Sequence, residues 1–249
     1  MIKNTRKYLF LATALLMSLT SVTALAKSSV WKVSKGNDHI YIGGTVHILP
    51  PSEFPLPTEF DEAYNKSDSI VLETKLPDAS DTAFQMQMMQ KMAYGNGKTI
   101  GDFLSKRTHQ QLGKYISSLG VDIAMFERFK PGFLVTMLAM IEAQHAQLSG
   151  EGVDIFYSNQ ASIDNKAIEY LESADFQMNM IADMGIGDEE RFIKSSREQM
   201  KDFKVMFLGL LKAWRAGDEQ QLNKLAIKPM QDDPKTIKTL LTDRNRNWM

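Results

Sequence analysis

Apolar and polar residues alternate in two short segments near the start of the chain. Residues 30–34 and 39–43 both show this pattern, and Lys35-Gly36-Asn37-Asp38 lies between them. Alternation around a turn of this composition predicts a β-hairpin. Two later apolar runs, SIVLETKL and KAIEYL, are short enough to predict further strands, and a glutamate ends each of them: Glu73 and Glu172.

Most of the remaining chain has apolar residues at the three- and four-residue spacing of amphipathic helices. Helices are predicted over 55–67 with Thr58 as N-cap, 78–94, 106–119, 131–148, from the turn at 152, and over 174–184, 189–214 and 234–249. The regular spacing from Phe192 to Trp214 predicts one long helix. No repeat or linker interrupts residues 27–249, so the sequence predicts one α+β domain with a small mixed sheet and many helices.

The first 26 residues have the pattern of a secretory signal peptide. Lys3, Arg6 and Lys7 precede an apolar run, and Ala24-Leu25-Ala26 forms a small-residue cleavage site. The alternative is an uncleaved anchor, for which the run is short. We expect cleavage after Ala26, a periplasmic or secreted protein, and no stable transmembrane span after cleavage.

Composition narrows the chemistry that is available. The chain has 29 Lys and Arg against 30 Asp and Glu, and all three charges in the first 26 residues are basic, so the mature protein is mildly acidic. This balance argues against a nucleic-acid partner, which needs a basic surface. The chain has no cysteine, which excludes disulfides, thiolate metal sites and a cysteine nucleophile.

His47 follows one predicted strand and Glu73 ends another, and both are candidates for metal binding or acid–base catalysis. Gly43-Gly44 allows a tight turn after the second predicted strand, and His47 follows three residues later. Glu73 ends an apolar strand, where a carboxylate is costly unless it is paired or bound to a ligand. If the two strands are neighbours, His47 and Glu73 share one edge and could bind a metal or act as an acid–base pair. The alternatives are a hydrogen-bonded loop histidine and a solvent-facing glutamate.

Other candidates have structural explanations of equal weight. Glu172 repeats the strand-end arrangement, whereas Asp154 could serve only as a helix N-cap. His109 is predicted to face solvent. Among the 16 methionines, Met86, Met89 and Met92 follow helical spacing, which favours a core or groove face over thioether ligands for copper.

Five segments in this order resemble the TraB/GumN family, whose animal members include the Tiki proteins. The segments are GGTVHILP, LETKL, GVDIFYSNQA, AIEYLESADFQMNMI and LLTDRNRNWM, and the resemblance covers essentially the whole mature chain. It implies a Tiki/TraB-like α+β fold and a metal-dependent, protease-like hydrolase whose proposed site combines two G-x-x-H motifs with a glutamate.

The resemblance also implies roles for individual residues. His47 matches the first G-x-x-H and Glu73 the family glutamate, as the catalytic pair. The implied metal ligands are His47, Glu73, Asp154 of the G-x-D beginning at Gly152, and Glu172. The implied substrate-binding residues are Gly44, Gln177, Arg244 and Asn245.

The chain departs from the family pattern at two places. Gly132 stands where relatives often carry an aromatic residue, a difference expected to affect packing. Family members usually continue past Arg244-Asn245 to a further strand and a second G-x-x-H, and no histidine follows His145 here. The resemblance therefore implies a fold and a metal site that are incomplete at the C-terminus.

These observations predict a metal-dependent, peptidase-like hydrolase that uses Mn, Co or Zn and acts on a peptide or small molecule. The alternatives are a non-catalytic periplasmic protein that binds a peptide or saccharide, and an inactive, truncated family member. If the product ends at Met249, the ligands would be His47, Glu73 and either Asp154 or Glu172, a set poor in imidazole that we expect to hold Mn²⁺ or a similar hard ion only weakly.

Overall fold

The computed structural model describes residues 28–75, 80–231 and 233–249. The strands are β1 (Val30–Lys35), β2 (Asp38–Gly43), β3 (Ser69–Thr74) and β4 (Ala167–Glu172). The helices are α1 (Thr58–Asn65), α2 (Thr82–Met92), α3 (Lys106–Ser118), α4 (Pro131–His145), α5 (Val153–Ile163), α6 (Ala174–Asp183), α7 (Glu189–Met200), α8 (Phe203–Ala216), α9 (Glu219–Leu222), α10 (Pro234–Ile237) and α11 (Arg244–Trp248). The predicted α+β class is confirmed, and the predicted signal peptide lies outside the described residues.

The four strands form two separate two-stranded sheets. β1 and β2 pair antiparallel, from Val30 opposite Gly43 to Lys35 opposite Asp38. β3 and β4 pair parallel, from Ser69 opposite Ala167 to Thr74 opposite Glu172. The strands lie where the alternating and apolar runs predict them, but within the described residues β2 and β3 are not hydrogen-bonded to each other.

The prediction of one long helix from Glu189 to Trp214 is wrong. A turn at Lys201-Asp202 separates α7 from α8. The reason lies in packing, because Ile193 and Met200 enter one core cluster whereas Leu211 and Trp214 enter another. The spacing of apolar residues is continuous through the turn and therefore does not reveal it.

Several predicted helix ends also differ from the observed ones. Thr58 is the first residue of α1 and its side chain does not cap the helix, whose N-cap position is Pro57. α4 ends at His145 rather than near 148. The C-terminal helical segment is not uniform, since wide π-helical turns over Lys238–Asp243 separate α10 from α11.

Two main clusters of buried side chains support the molecule. One joins α3, α4 and α7, and the other packs β1, β3 and β4 on α1, α5 and α8. A smaller cluster contains Met92 and Met178, while Met86 and Met89 of the same predicted helical face are exposed. The helical spacing of the three methionines is confirmed, but only Met92 is a core residue.

Gly132 permits close packing of α4 on α6. A Cβ atom at this position would lie 2.1 Å from the carbonyl oxygen of Ile181 and 2.7 Å from Cβ of Met184. No larger residue fits without moving one helix, so the absence of an aromatic side chain here is a packing feature, as expected. No helix in the described part of the chain is both long and apolar enough to cross a membrane.

Candidate functional site

The segment that carries His47 is fixed to the body of the protein by Gly44. The Gly44 amide donates to the Ser29 carbonyl at 2.8 Å, and the Gly44 carbonyl accepts from Nε1 of Trp214 at 2.7 Å. The structure thus gives Gly44 an anchoring position between β1 and α8. Substrate binding by Gly44 stays a prediction.

The N-terminus of α5 packs directly against the His47 segment. The Val153 amide donates to the Val46 carbonyl at 3.0 Å, and a Cβ atom at Gly152 would lie 2.5 Å from the His47 carbonyl oxygen. The N-cap position belongs to Gly152, so the interpretation of Asp154 as an N-cap is wrong. Asp154 lies one residue into the first turn and is free to reach His47.

His47 and Asp154 form a hydrogen-bonded pair. Nδ1 of His47 lies 3.1 Å from Oδ1 of Asp154. The His47 side chain is 60% exposed, whereas that of Asp154 is 13% exposed. The hydrogen bond to Asp154 raises the pKa of His47 above its ordinary value, and the charges of Asp154 and Glu73 act in the same direction, against burial and the charge of Arg244.

Glu73 approaches the other nitrogen of the same imidazole. Oε2 of Glu73 lies 3.8 Å from Nε2 of His47. The carboxyl ends of β2 and β3 therefore meet at one edge although the strands are not paired. The predicted proximity of His47 and Glu73 is confirmed, and it comes from packing between two sheets rather than from neighbouring strands in one sheet.

Glu172 is held by residues from the C-terminal helix. Nη2 of Arg244 donates to Oε1 of Glu172 and to Oε2 of Glu73, at 2.6 Å in each case. Nε1 of Trp248 donates to Oε2 of Glu172 at 2.9 Å, and the Glu172 side chain is 4% exposed. Burial alone would raise the pKa of Glu172, but the hydrogen bonds from Arg244, Gln177 and Trp248 hold it below its ordinary value.

Of the two remaining predicted site residues, one contacts the site and the other is exposed. Gln177 of α6 lies beside Glu73, with its Nε2 donating to Oε2 at 3.4 Å. Asn245 follows Arg244 but is exposed. His109, predicted to face solvent, instead lies 2.7 Å from Oε1 of Glu127 and is only one third exposed, so that prediction is wrong.

The proposed metal ligands do not converge on one point. His47 Nε2 and Glu73 Oε2 face each other, but Asp154 is bound to the far ring nitrogen, the position of a carboxylate that orients a histidine. Glu172 is occupied by Arg244, whose positive charge would repel a cation at this end of the strands. In residues 28–75, 80–231 and 233–249, no three or more histidine, aspartate and glutamate side chains are arranged to hold a metal ion. The described residues therefore do not by themselves fit the expected ion.

A cavity of about 450 Å³ opens beside this group. Asp154 lies in its wall, and the rest of the wall comes mainly from β2, β3, α1 and α5. Asp154 is thus the residue that the cavity shares with this group, since neither His47 nor Glu73 lines it.

Two contacts of the site carry no local sequence signal. The pairing of Asp154 with His47 spans 107 positions, and that of Arg244 with Glu73 spans 171. The position at the end of an apolar run identifies Glu73 and Glu172, but it does not identify Arg244, whose guanidinium bonds both of them. Trp248 is likewise not suggested by any pattern, since its only distinguishing feature is a position one helical turn after Arg244.

Neither a curated protein nor a solved structure matches the chain significantly. Residues 29–249, which include every side chain of the site, match the sequence model of the TraB/PrgY/gumN family. The chain belongs to the TraB/PrgY/gumN family.

Proposed function

We propose that this protein is a hydrolase in which His47 acts as general base and acid, and that it acts in the periplasm or outside the cell. The observation that carries the proposal is the position of His47 between two carboxylates, with Asp154 on Nδ1 and Glu73 facing Nε2. The proposed location rests on the charged start, apolar run and Ala24-Leu25-Ala26 site of the first 26 residues.

The geometry supports a defined path for the proton. A carboxylate on Nδ1 keeps the Nδ1–H tautomer, which leaves the Nε2 lone pair to accept a proton, and it stabilises the imidazolium that results. A water molecule bound between Nε2 and Glu73 would give its proton to Nε2 as its oxygen attacks a substrate carbonyl. When the carbonyl carbon releases its amine or alcohol, the same proton passes from Nε2 to that leaving group.

Arg244 limits what Glu73 can do in this scheme. Its guanidinium bonds one oxygen of Glu73 and both oxygens of Glu172. Glu73 is therefore a fixed carboxylate whose role is to orient the water and favour positive charge on His47. Dependence on Mn, Co or Zn stays a prediction from the family resemblance, and no step of this scheme uses a metal ion.

The test uses the purified protein, labelled unfolded casein and p-nitrophenyl acetate, each with and without Mn²⁺, Co²⁺ or Zn²⁺. We expect His47→Gln to lower the hydrolysis rate by roughly 100-fold or more, the usual contribution of a positioned acid–base residue. His109→Gln is the matched control, because that histidine also pairs with a carboxylate but lies away from the site. Equal rates for the two variants would contradict the proposed role of His47.

The second candidate is a non-catalytic protein that binds a peptide or a saccharide. The cavity between β2 and β3 favours it, because about 450 Å³ is within the range of small-ligand sites. If the wild-type protein hydrolyses neither casein nor p-nitrophenyl acetate with any of the three metal ions, but binds a ligand in this cavity, the binding function is favoured over the hydrolase.

A further inference from the structure

The loop that carries the candidate base is held at both ends by α8. This loop, residues 44–53, follows β2 and is called the His47 loop below. Nε1 of Trp214 donates to the Gly44 carbonyl at 2.7 Å, and Nη1 of the next residue, Arg215, donates to the Glu53 carbonyl at 2.7 Å. Nη1 of Arg215 also lies 3.2 Å from Oε2 of Glu53. Two consecutive residues of one helix therefore fix where the His47 loop begins and where it ends.

The middle of the His47 loop lies against the segment that leads into α5. A Cβ atom at Gly150 would lie 2.2 Å from the Leu49 carbonyl oxygen, as one at Gly152 would lie 2.5 Å from the His47 carbonyl oxygen. The two stretches thus run antiparallel, with Leu49 beside Gly150 and His47 beside Gly152. At both contacts only the hydrogen atom of a glycine fits between one backbone and the other.

Gly150 is required here for space and not for backbone conformation. Its φ is not positive, so the left-handed conformation that favours glycine is not the reason for a glycine at this position. Leu49 is fully buried, and its carbonyl cannot withdraw without moving a core side chain. Leu148 and Val153, on either side of the opposite segment, are buried as well. A side chain at Gly150 would therefore displace one of two segments that are both fixed at their ends.

Displacement of either segment changes the same distance. His47 lies two residues before Leu49, and Asp154 lies four residues after Gly150. The hydrogen bond between Nδ1 of His47 and Oδ1 of Asp154 is 3.1 Å long. A separation of about 0.5 Å more would carry the pair beyond the usual range of such a bond. The spacing between the two segments therefore decides whether Asp154 reaches the imidazole.

We propose that Gly150 and Arg215 are positioning residues for His47. Gly150 leaves the room that lets the His47 loop lie close to the start of α5, and Arg215 fixes the far end of the loop so that it stays there. Together they hold His47 at the separation at which Asp154 bonds Nδ1. The effect on hydrolysis rests on the proposed function, whereas the effect on the pairing of His47 with Asp154 does not.

A mutant cycle measures the pair without any catalysis. His47→Gln, Asp154→Asn and the double variant are compared with the wild type by urea unfolding at pH 7. The coupling factor is the part of the combined change in the unfolding constant that the product of the two single changes does not explain. The cycle is then repeated with Gly150→Ala and with Arg215→Gln added to each protein.

Two further backgrounds serve as matched controls. Gly95→Ala adds a methyl group to a loop glycine whose Cβ would meet nothing within 4 Å. Lys212→Gln removes a positive charge from an exposed position of α8, the helix that carries Arg215. Neither residue lies at a contact of the His47 loop.

We expect a coupling factor of about fivefold in the wild type and in both controls, and of about one in Gly150→Ala and Arg215→Gln. A role in general stability alone would lower the stability of every protein in a cycle alike and leave the factor unchanged. An unchanged factor in either variant, or a factor of about one already in the wild type, would overturn the proposal. If Gly150→Ala does not fold, Arg215→Gln decides the outcome, because it adds no atoms at the contact.

Hydrolysis of p-nitrophenyl acetate provides the second readout. Both variants should lower kcat by about tenfold or more with little change in KM, because a misplaced base acts on the chemical step rather than on substrate binding. Gly95→Ala and Lys212→Gln should keep the wild-type rate. Loss of coupling in a protein whose wild type hydrolyses nothing, or loss of coupling with an unchanged kcat, would contradict the proposed function alone and leave the positioning role intact.

Discussion

His47 owes its protonation behaviour to a residue 107 positions away, Asp154. Because the hydrogen bond that His47 donates to Asp154 is the main cause of the raised pKa of His47, Asp154→Asn should lower that pKa toward 6.5. NMR titration of the His47 ring, assigned with His47→Gln, measures the change. Asp81→Asn is the control, since Asp81 caps α2 and does not contact His47. An unchanged His47 pKa in Asp154→Asn would contradict the assigned contact.

The same linkage fixes the sign of a pH effect on stability. The pKa of His47 is higher in the folded than in the unfolded protein, so protonation favours folding. The contribution is complete below about pH 6.5, the unfolded value, and is lost as pH rises through the higher folded value. Urea unfolding of wild type and His47→Gln should therefore differ most at acidic pH and converge at alkaline pH. A difference that grows with pH would contradict this sign.

Arg244 supplies the positive charge beside Glu172, whose side chain is 4% exposed. Arg244→Gln leaves Glu172 almost fully buried without its cation, so we expect a loss of about 3 kcal/mol in the free energy of unfolding. Arg246→Gln, on the exposed side of α11, should cost little. Urea unfolding at pH 7 provides the comparison.

A second substitution separates charge from packing at Arg244. Adding Glu172→Gln to Arg244→Gln should recover part of the loss, because the uncompensated charge is removed. The lowered pKa of Glu172 also means that the wild-type contribution is present above the unfolded pKa of about 4.5 and is lost as pH falls through the folded value. No recovery in the double variant would show that Arg244 acts through packing alone.

At the scale of elements, α4 and α6 approach each other through Gly132. Gly132→Ala places a methyl group against the Ile181 carbonyl and should destabilise the fold by about 1–3 kcal/mol. Gly113→Ala in α3 is the matched control, because its Cβ would meet only two side-chain atoms of Ile123, at 3.5 and 3.9 Å. That change should raise stability by about 0.5–1 kcal/mol through helix propensity. Thermal unfolding of both variants tests this prediction, and similar shifts in their Tm values would contradict the close approach of α4 and α6.

The elements also show what local patterns can predict. The hairpin and the strands that carry Glu73 and Glu172 follow from short-range alternation, apolar runs and turn composition, and they lie where expected, although β3 ends at Thr74, one residue after Glu73. The break at Lys201-Asp202 could not be predicted, because each half of the helix serves a different core and the apolar spacing is continuous. Strand-end position likewise suggested His47 and Glu73, whereas the contacts made by Asp154 and Arg244 depend on distant packing.

Across the whole molecule, α7 and α8 link the two main clusters, with Met200 in one and Trp214 in the other. We therefore expect a single cooperative unfolding transition. Leu138→Ala, in the cluster that joins α3, α4 and α7, should cost about 3 kcal/mol in the free energy of unfolding, whereas Met140→Ala on the exposed side of α4 should cost far less.

The two clusters can be followed separately by spectroscopy. Trp31, Trp214 and Trp248 all lie near the strands or at the candidate site, so tryptophan fluorescence reports on that cluster, while circular dichroism reports mainly on the helices. Leu138→Ala should lower both midpoints equally. A lower midpoint by circular dichroism alone would show that the clusters unfold separately.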